Sequence, residues 1–321
     1  MTAGHAAREV APGVVVVDTG YVRPGLAASF LVRGGGSAAV VETGTALSVP
    51  RILAALEAHG VAPEDVSHVL VTHVHLDHAA GAGALLARLP RARLVVHPRG
   101  ARHMIDPSKL LAGAAEVYGG MDAIRRLYGD VAPAPAERVV EAPEGTTVDL
   151  GGRILSILDA PGHARHHYVV WDAATRGFFT GDTFGISYRE FDGPSGPFLF
   201  PTTTPVQFEP KALRASVERM LLAGPERMYL THFGMVEGHV ARAAAALLAA
   251  VDGHVAAALA APAGPGRRQA IRAGLEAQLL AALDAHGWRG GRDEALAAFA
   301  GDLDLNAQGL DVWLDSLASG R

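Results

Sequence analysis

The sequence predicts an α/β fold, with helices packed over a sheet. Two observations predict it. Short apolar runs alternate with stretches of helical length through residues 1–235. Histidines and aspartates recur at the ends of four of those runs, and α/β sheets carry their sites at strand ends.

Residues 14–18, 29–32 and 38–41 read as short strands separated by Gly-rich turns, notably Gly34-Gly35-Gly36. Residues 48–59 read as a helix, with Ser48 as N-cap, Pro50 in the first turn and Gly60 just past the end. Residues 66–72 are a strand, 79–89 a helix closed by Pro90, and 93–97 another strand. Residues 99–135 read as a helical excursion with a loop. Strands return at Val139, 147–150 and 153–158, with Gly151-Gly152 as a hairpin turn, and then at 168–171, 177–180 and 228–230. From Val236 the chain turns Ala/Leu-rich. Helices are expected over 236–261, 267–286, 293–300 and 306–317, with 262–266 as a breaker. The expected division is a catalytic domain over 1–235 and a helical region over 236–321.

With 321 residues, 49% of them apolar and 19% charged, the chain is long enough for one large core and is not a disordered polymer. A net charge of −5 argues against a nucleic-acid partner, which calls for a basic face. The absence of cysteine excludes disulfides, thiolate ligands and a thiol nucleophile. Met1 to Pro12 lack a basic start followed by an apolar core, so no secretory leader is expected and the cytoplasm is the expected compartment. No uninterrupted apolar stretch reads as a membrane span, and no membrane partner is expected. A homodimer stays open.

Thr72-His73-Val74-His75-Leu76-Asp77-His78 carries three histidines and an aspartate directly after an apolar run. Imidazole nitrogen and carboxylate oxygen are donors for zinc, iron and manganese. A solvated His-rich loop is the plainer alternative, but matching donors recur downstream. They are His163 in Ala160-Pro161-Gly162-His163, Asp182 in Thr180-Gly181-Asp182, and His232 in Thr231-His232-Phe233-Gly234. Seven donors suffice for two metals sharing a carboxylate.

On this ordered set the chain, over about residues 10–235, resembles the metallo-β-lactamase superfamily, with glyoxalase II and lactonases among the relatives. The resemblance implies an αββα sandwich with a C-terminal helical extension. It also implies His73, His75 and His163 on a first metal, Asp77, His78 and His232 on a second, and Asp182 as the bridge. The expected cofactor is two zinc ions, with iron or manganese as alternatives. The expected activity is hydrolysis of an ester, thioester or lactone carbonyl in a small-molecule substrate. A metal-bound hydroxide would be the nucleophile, formed because the metal lowers the pKa of its bound water to roughly 7. Asp77 is a candidate proton acceptor. Glu42-Thr43-Gly44 departs from the family's usual aspartate, which puts the bracing of the ligand loop in question.

The 184–208 segment follows Asp182 and is rich in proline and glycine. Its Tyr188, Phe198 and Phe200 are candidates for an apolar substrate wall, with Tyr188 also a candidate to polarise a carbonyl; equally, they tack the loop onto the core. His166 and His167 read as support for the ligands, and His68 as a core or edge histidine. His97 and His103 could approach a substrate, though His97 is equally a structural residue. His5, His59, His239, His254 and His286 read as surface or helix residues. Rival functions are a mononuclear iron dioxygenase of the persulfide dioxygenase type, an RNA-processing nuclease, and a metal-binding protein without catalysis.

Overall fold

The computed structural model describes residues 7–194 and 196–319, so His5 lies outside the described residues. The chain forms two compact units, each assembled from three segments. The first takes Met1–Asp159, His166–Gly181 and Glu226–Met235; the second takes Ala160–Arg165, Asp182–Pro225 and Val236–Arg321. The expected boundary after residue 235 is thus one of several crossings, because two mid-chain segments join the C-terminal helices.

Two sheets carry the strands, and only the end of β13 lies outside the first unit. One runs β1 (Ala7–Ala11), β2 (Val14–Asp18), β3 (Ala28–Arg33), β4 (Ala38–Val41), β5 (Val66–Leu70), β6 (Arg93–Val96) and β7 (Val139–Glu141) in spatial order. It is antiparallel up to β4 and parallel from β4 to β7. The other contains β8 (Thr147–Asp149), β9 (Ile154–Asp159), β10 (Tyr168–Asp172), β11 (Gly177–Phe179), β12 (Arg227–Leu230) and β13 (Gly234–Glu237). There, β8 to β11 pair antiparallel and β12 lies parallel to β11.

Period-2 alternation sorts the strand residues into two cores. Val14, Val16, Phe30, Val41, Leu70 and Val95 pack with Leu155, Ile157, Tyr168, Val170, Phe179 and Tyr229, joining the two sheets face to face. Val15, Val17, Leu31, Val40, Val69 and Leu94 point the other way, onto helix residues Ile52, Leu56, Leu85 and Leu86. A sheet covered on both faces requires nearly continuous apolar strands, and β2 and β4 are buried throughout.

Helix α1 (Val49–Ala58) stands close to where it was expected, with Pro50 in its first turn. The helix expected over 79–89 is two short ones, α2 (Leu76–Ala79) and α3 (Ala82–Leu86). Gly81 separates them because the backbone passes very close to it: a Cβ there would stand 2.7 Å from the carbonyl oxygens of both Thr43 and Thr45. The 99–135 excursion is three helices, α4 (Pro98–Ile105), α5 (Ser108–Tyr118) and α6 (Met121–Tyr128).

The second unit holds α7 (Pro210–Leu222), α8 (Val240–Ala260), α9 (Arg267–His286), α10 (Arg292–Ala298) and α11 (Ala300–Ala318). Helix α8 has the length and apolarity to cross a bilayer, which amends the sequence reading. In the fold, Val240, Ala244, Leu247, Val251 and His254 are buried along it, and it packs on α7, α9 and α11.

Phe299 is the centre of this unit. Tyr188, Phe191, Phe198 and Phe200 ring it at centroid distances of 5.1, 4.9, 6.2 and 5.0 Å. The 184–208 aromatics are therefore core residues; Phe198 and Phe200 keep only 5% and 2% of their surface exposed, too little for a substrate wall. Tyr188 is corrected likewise: it is buried, and its hydroxyl donates to Asp302 Oδ2 at 2.9 Å, so it is not poised to polarise a carbonyl. Asn306 ties the same segment down, accepting from the Thr203 N–H and donating to the Pro201 carbonyl, both at 2.7 Å.

Candidate metal centre

Five of the seven predicted donors belong to the first unit. The chain leaves β5 at Leu70, and the Thr72 N–H donates to Glu42 Oε1 at 3.2 Å. Glu42 itself holds a positive φ of 65°, a backbone region rare outside glycine. That geometry turns its buried carboxylate onto the ligand loop. The second oxygen, Oε2, faces His78 Nδ1 at 3.5 Å. The longer carboxylate thus braces the start of the loop through one hydrogen bond and sets a charge beside its end.

Helix α2 presents Asp77 and His78. His78 Nε2 lies 3.7 Å from Asp77 Oδ2 and 3.3 Å from His232 Nε2. His232 follows β12, and its Nε2 is 3.2 Å from Asp77 Oδ2. The donor atoms of Asp77, His78 and His232 all lie within 4.8 Å of one another, a spacing one metal ion can close. His73 and His75 sit alongside, with ring centroids 4.4 Å apart in an edge-on arrangement. His75 is also the N-cap residue of α2, so the helix start fixes its backbone.

The other two donors belong to the second unit. His163 Nε2 and Asp182 Oδ2 approach to 3.5 Å. Gly162, with φ of 128°, precedes His163 and packs against α7: a Cβ there would stand 2.2 Å from the Leu213 nitrogen.

Hydrogen bonds fix which imidazole nitrogen carries the proton. The Leu26 carbonyl can only accept, and it lies 2.8 Å from His232 Nδ1, so the proton is at Nδ1 and Nε2 is left with its lone pair. Thr202 donates its hydroxyl proton to the Asp182 carbonyl at 2.8 Å. Its oxygen must then accept from His163 Nδ1, at 3.2 Å, which frees Nε2 in the same sense. The Glu42 carboxylate lies 3.5 Å from His78 Nδ1, close enough to act on that ring through its charge. Outer partners of this kind hold metal-binding histidines in register. The donors present therefore suit a divalent first-row metal.

Sequence reasoning missed Thr202, whose Thr-rich surroundings gave no distinguishing signal, and the Leu26 carbonyl, for which no side-chain pattern exists. Among the remaining histidines, His167 is buried and stacks on His73 at 4.8 Å. His97 Nε2 pairs with Asp159 at 3.0 Å, which supports a structural role. His68 bonds its neighbour Ser67 at 2.8 Å. His254, read as a surface or helix residue, is a helix residue of α8 and is buried against Phe200, where burial pushes its pKa down to about 3.

Residues 22–232 match the model of the metallo-beta-lactamase superfamily. The chain is 34% identical over 209 residues to a hydroxyacylglutathione hydrolase of Cupriavidus taiwanensis, covering 63% of this chain and 61% of that protein. It is 28% identical over 183 residues to the metallo-beta-lactamase fold-containing protein ST1585 of Sulfurisphaera tokodaii, covering 54% and 62% of the two. It thus spans less than two thirds of the length of these relatives. The crystal structure of the metallo-beta-lactamase family protein TTHA1429 from Thermus thermophilus superimposes with a TM-score of 0.70 at 19% identity, covering 97% of this chain and 95% of that one. The fold is the αββα sandwich with C-terminal helices, and the chain belongs to the metallo-beta-lactamase superfamily.

Proposed function

We propose that the protein is a dinuclear zinc hydrolase of small esters, thioesters or lactones. His73, His75 and His163 would hold one ion, Asp77, His78 and His232 the other, and Asp182 would bridge them. The observation that carries this reading is the tautomer control: His163 and His232 each have Nδ1 hydrogen-bonded to a protein oxygen, leaving Nε2 for a metal. The relatives named hydroxyacylglutathione hydrolase support thioesters within the class.

When bound, zinc supplies the Lewis acidity that activates water and polarises a carbonyl at neutral pH. Asp77 is the side chain best suited to take the proton released on attack. It is partly exposed, at 23%, and its Oδ2 already lies beside His232. Glu42 keeps His78 oriented while the charge around it changes.

The test is elemental analysis of metal-reconstituted protein together with a hydrolysis screen over esters, thioesters, lactones and phosphodiesters. About two zinc ions per chain and turnover of one of the first three classes are expected. A single iron with oxygen consumption would replace this reading with the dioxygenase one.

A further inference from the structure

The lone pair of an imidazole nitrogen lies in the plane of the ring, so a metal-binding histidine is aimed only when that plane is fixed. For His163 and His232, a hydrogen bond at Nδ1 to a remote part of the chain contributes to this. For His73, the neighbour at Nδ1 is the hydroxyl of the preceding residue, Thr72, at 3.1 Å. A hydroxyl rotates and serves as donor or acceptor, so it selects neither a tautomer nor a plane.

Packing supplies the plane. His75 and His78 meet the His73 ring at 78° and 51°, with centroids 4.4 and 4.1 Å away. His167 instead lies on its face, at 4.8 Å and 24°. His166 is parallel too, at 13°, but stands off at 6.3 Å. His167 is buried, and the backbone of Gly181, with φ of 48°, closes the space beside its ring. A Cβ on Gly181 would stand 2.5 Å from His167 Nε2 and 2.4 Å from Thr72 Oγ1, so only glycine leaves room for both. The backbones that carry the two stacked rings are also tied. The Tyr168 N–H donates to the Thr72 carbonyl, and the Tyr168 hydroxyl donates to the Val95 carbonyl, both at 2.9 Å. All of these residues belong to the first unit.

We infer that His167 is a positioning residue: held by the Gly181 turn, its ring sets the plane of the His73 imidazole, and with it the direction in which His73 binds its ion. His167 itself stands outside both donor groups. The inference rests on the metal centre proposed above, though not on the reaction.

Zinc binding by the parent, His167→Ala and His167→Gln is measured by competition with a chromogenic chelator, beside the thermal melt of each apo protein. His167→Ala should weaken one of the two zinc constants about tenfold and leave the other in place. His167→Gln, whose planar amide can lie on the same face of His73, should recover part of that loss. Cobalt(II) substitution gives the second readout, because its visible bands follow coordination geometry. They should change in His167→Ala and stay near the parent's in His167→Gln. A lowered apo melt with both constants and the cobalt bands unchanged would overturn the inference, since His167 would then be packing alone. An equal loss in both constants overturns it as well. A parent that binds zinc but turns over no ester, thioester or lactone sinks the hydrolase reading alone. A parent with a single zinc constant sinks the dinuclear reading, and the same comparison on that constant still decides the role of His167. If His167→Ala does not fold, the parent carries the test. Nuclear Overhauser contacts between the His73 and His167 rings should be present in the apo and zinc-loaded protein alike, and their absence from the loaded protein overturns the proposal.

Discussion

Glu42 shows how a single side chain can organise a metal loop from outside it. One oxygen fixes the Thr72 backbone and the other faces His78. Glu42→Gln keeps the shape but loses the charge that lies beside His78 Nδ1. Affinity for the second metal should fall about 10–100-fold with the thermal melt of the apo protein little changed, as read by competition with a chromogenic chelator. Asp182→Ala tests a different role. As the proposed bridge it touches both ions, so metal content and turnover should fall together. Unchanged occupancy at both sites would exclude the bridging assignment. The donors were legible in the sequence because each is a polar residue at the end of an apolar run, where burial without a partner is costly. Their orientation was not legible, because it depends on the Leu26 carbonyl and the Thr202 hydroxyl, which come from remote parts of the chain.

At the scale of elements, strands were easier to foresee than helices. β2 carries four consecutive valines before Asp18 and β4 only alanine and valine, and they appear at their expected positions. Edge strand β1 is half-exposed and escaped notice, since its sequence Ala-Arg-Glu-Val-Ala carries no buried run. Helix α7 also escaped, although Glu209 and Pro210 offer a cap and a first-turn proline. The split at Gly81 has no local signal, because the carbonyls that crowd it belong to Thr43 and Thr45. The 184–208 aromatics looked like a substrate wall because sequence shows apolar area without showing what covers it, and Phe299 covers them. Phe200→Ala should therefore act on stability, costing about 3–5 kcal/mol by urea denaturation. Among variants that remain folded, preference across acyl chain lengths should not change. A shifted preference at unchanged stability would restore the substrate-wall reading.

At the scale of the whole molecule, buried His254 couples stability to acid. Its folded pKa is lowered to about 3 by burial, while the unfolded chain takes a proton near 6.5. The unfolded state therefore binds the extra proton below 6.5, and stability is lost as pH falls from there towards about 3. Between pH 7 and 5 this one residue should remove about 2 kcal/mol. His254→Leu should flatten that part of the profile of urea midpoint against pH, and an identical slope in parent and variant would refute the assignment. His254→Ala should be destabilising through the space it leaves beside Phe200. The threading of the second unit also bears on how the protein is made. Thr203 and Asn306 bond across 103 residues of chain. At a synthesis rate of about 5–20 residues per second, the segment carrying Asp182 and Thr202 must wait roughly 5–20 s for α11 to be translated. One of the three outer supports, Thr202, thus sits in a segment whose tether at Asn306 is made 103 residues later. A chain stalled before Phe299 would leave Phe198 and Phe200 without the ring that covers them.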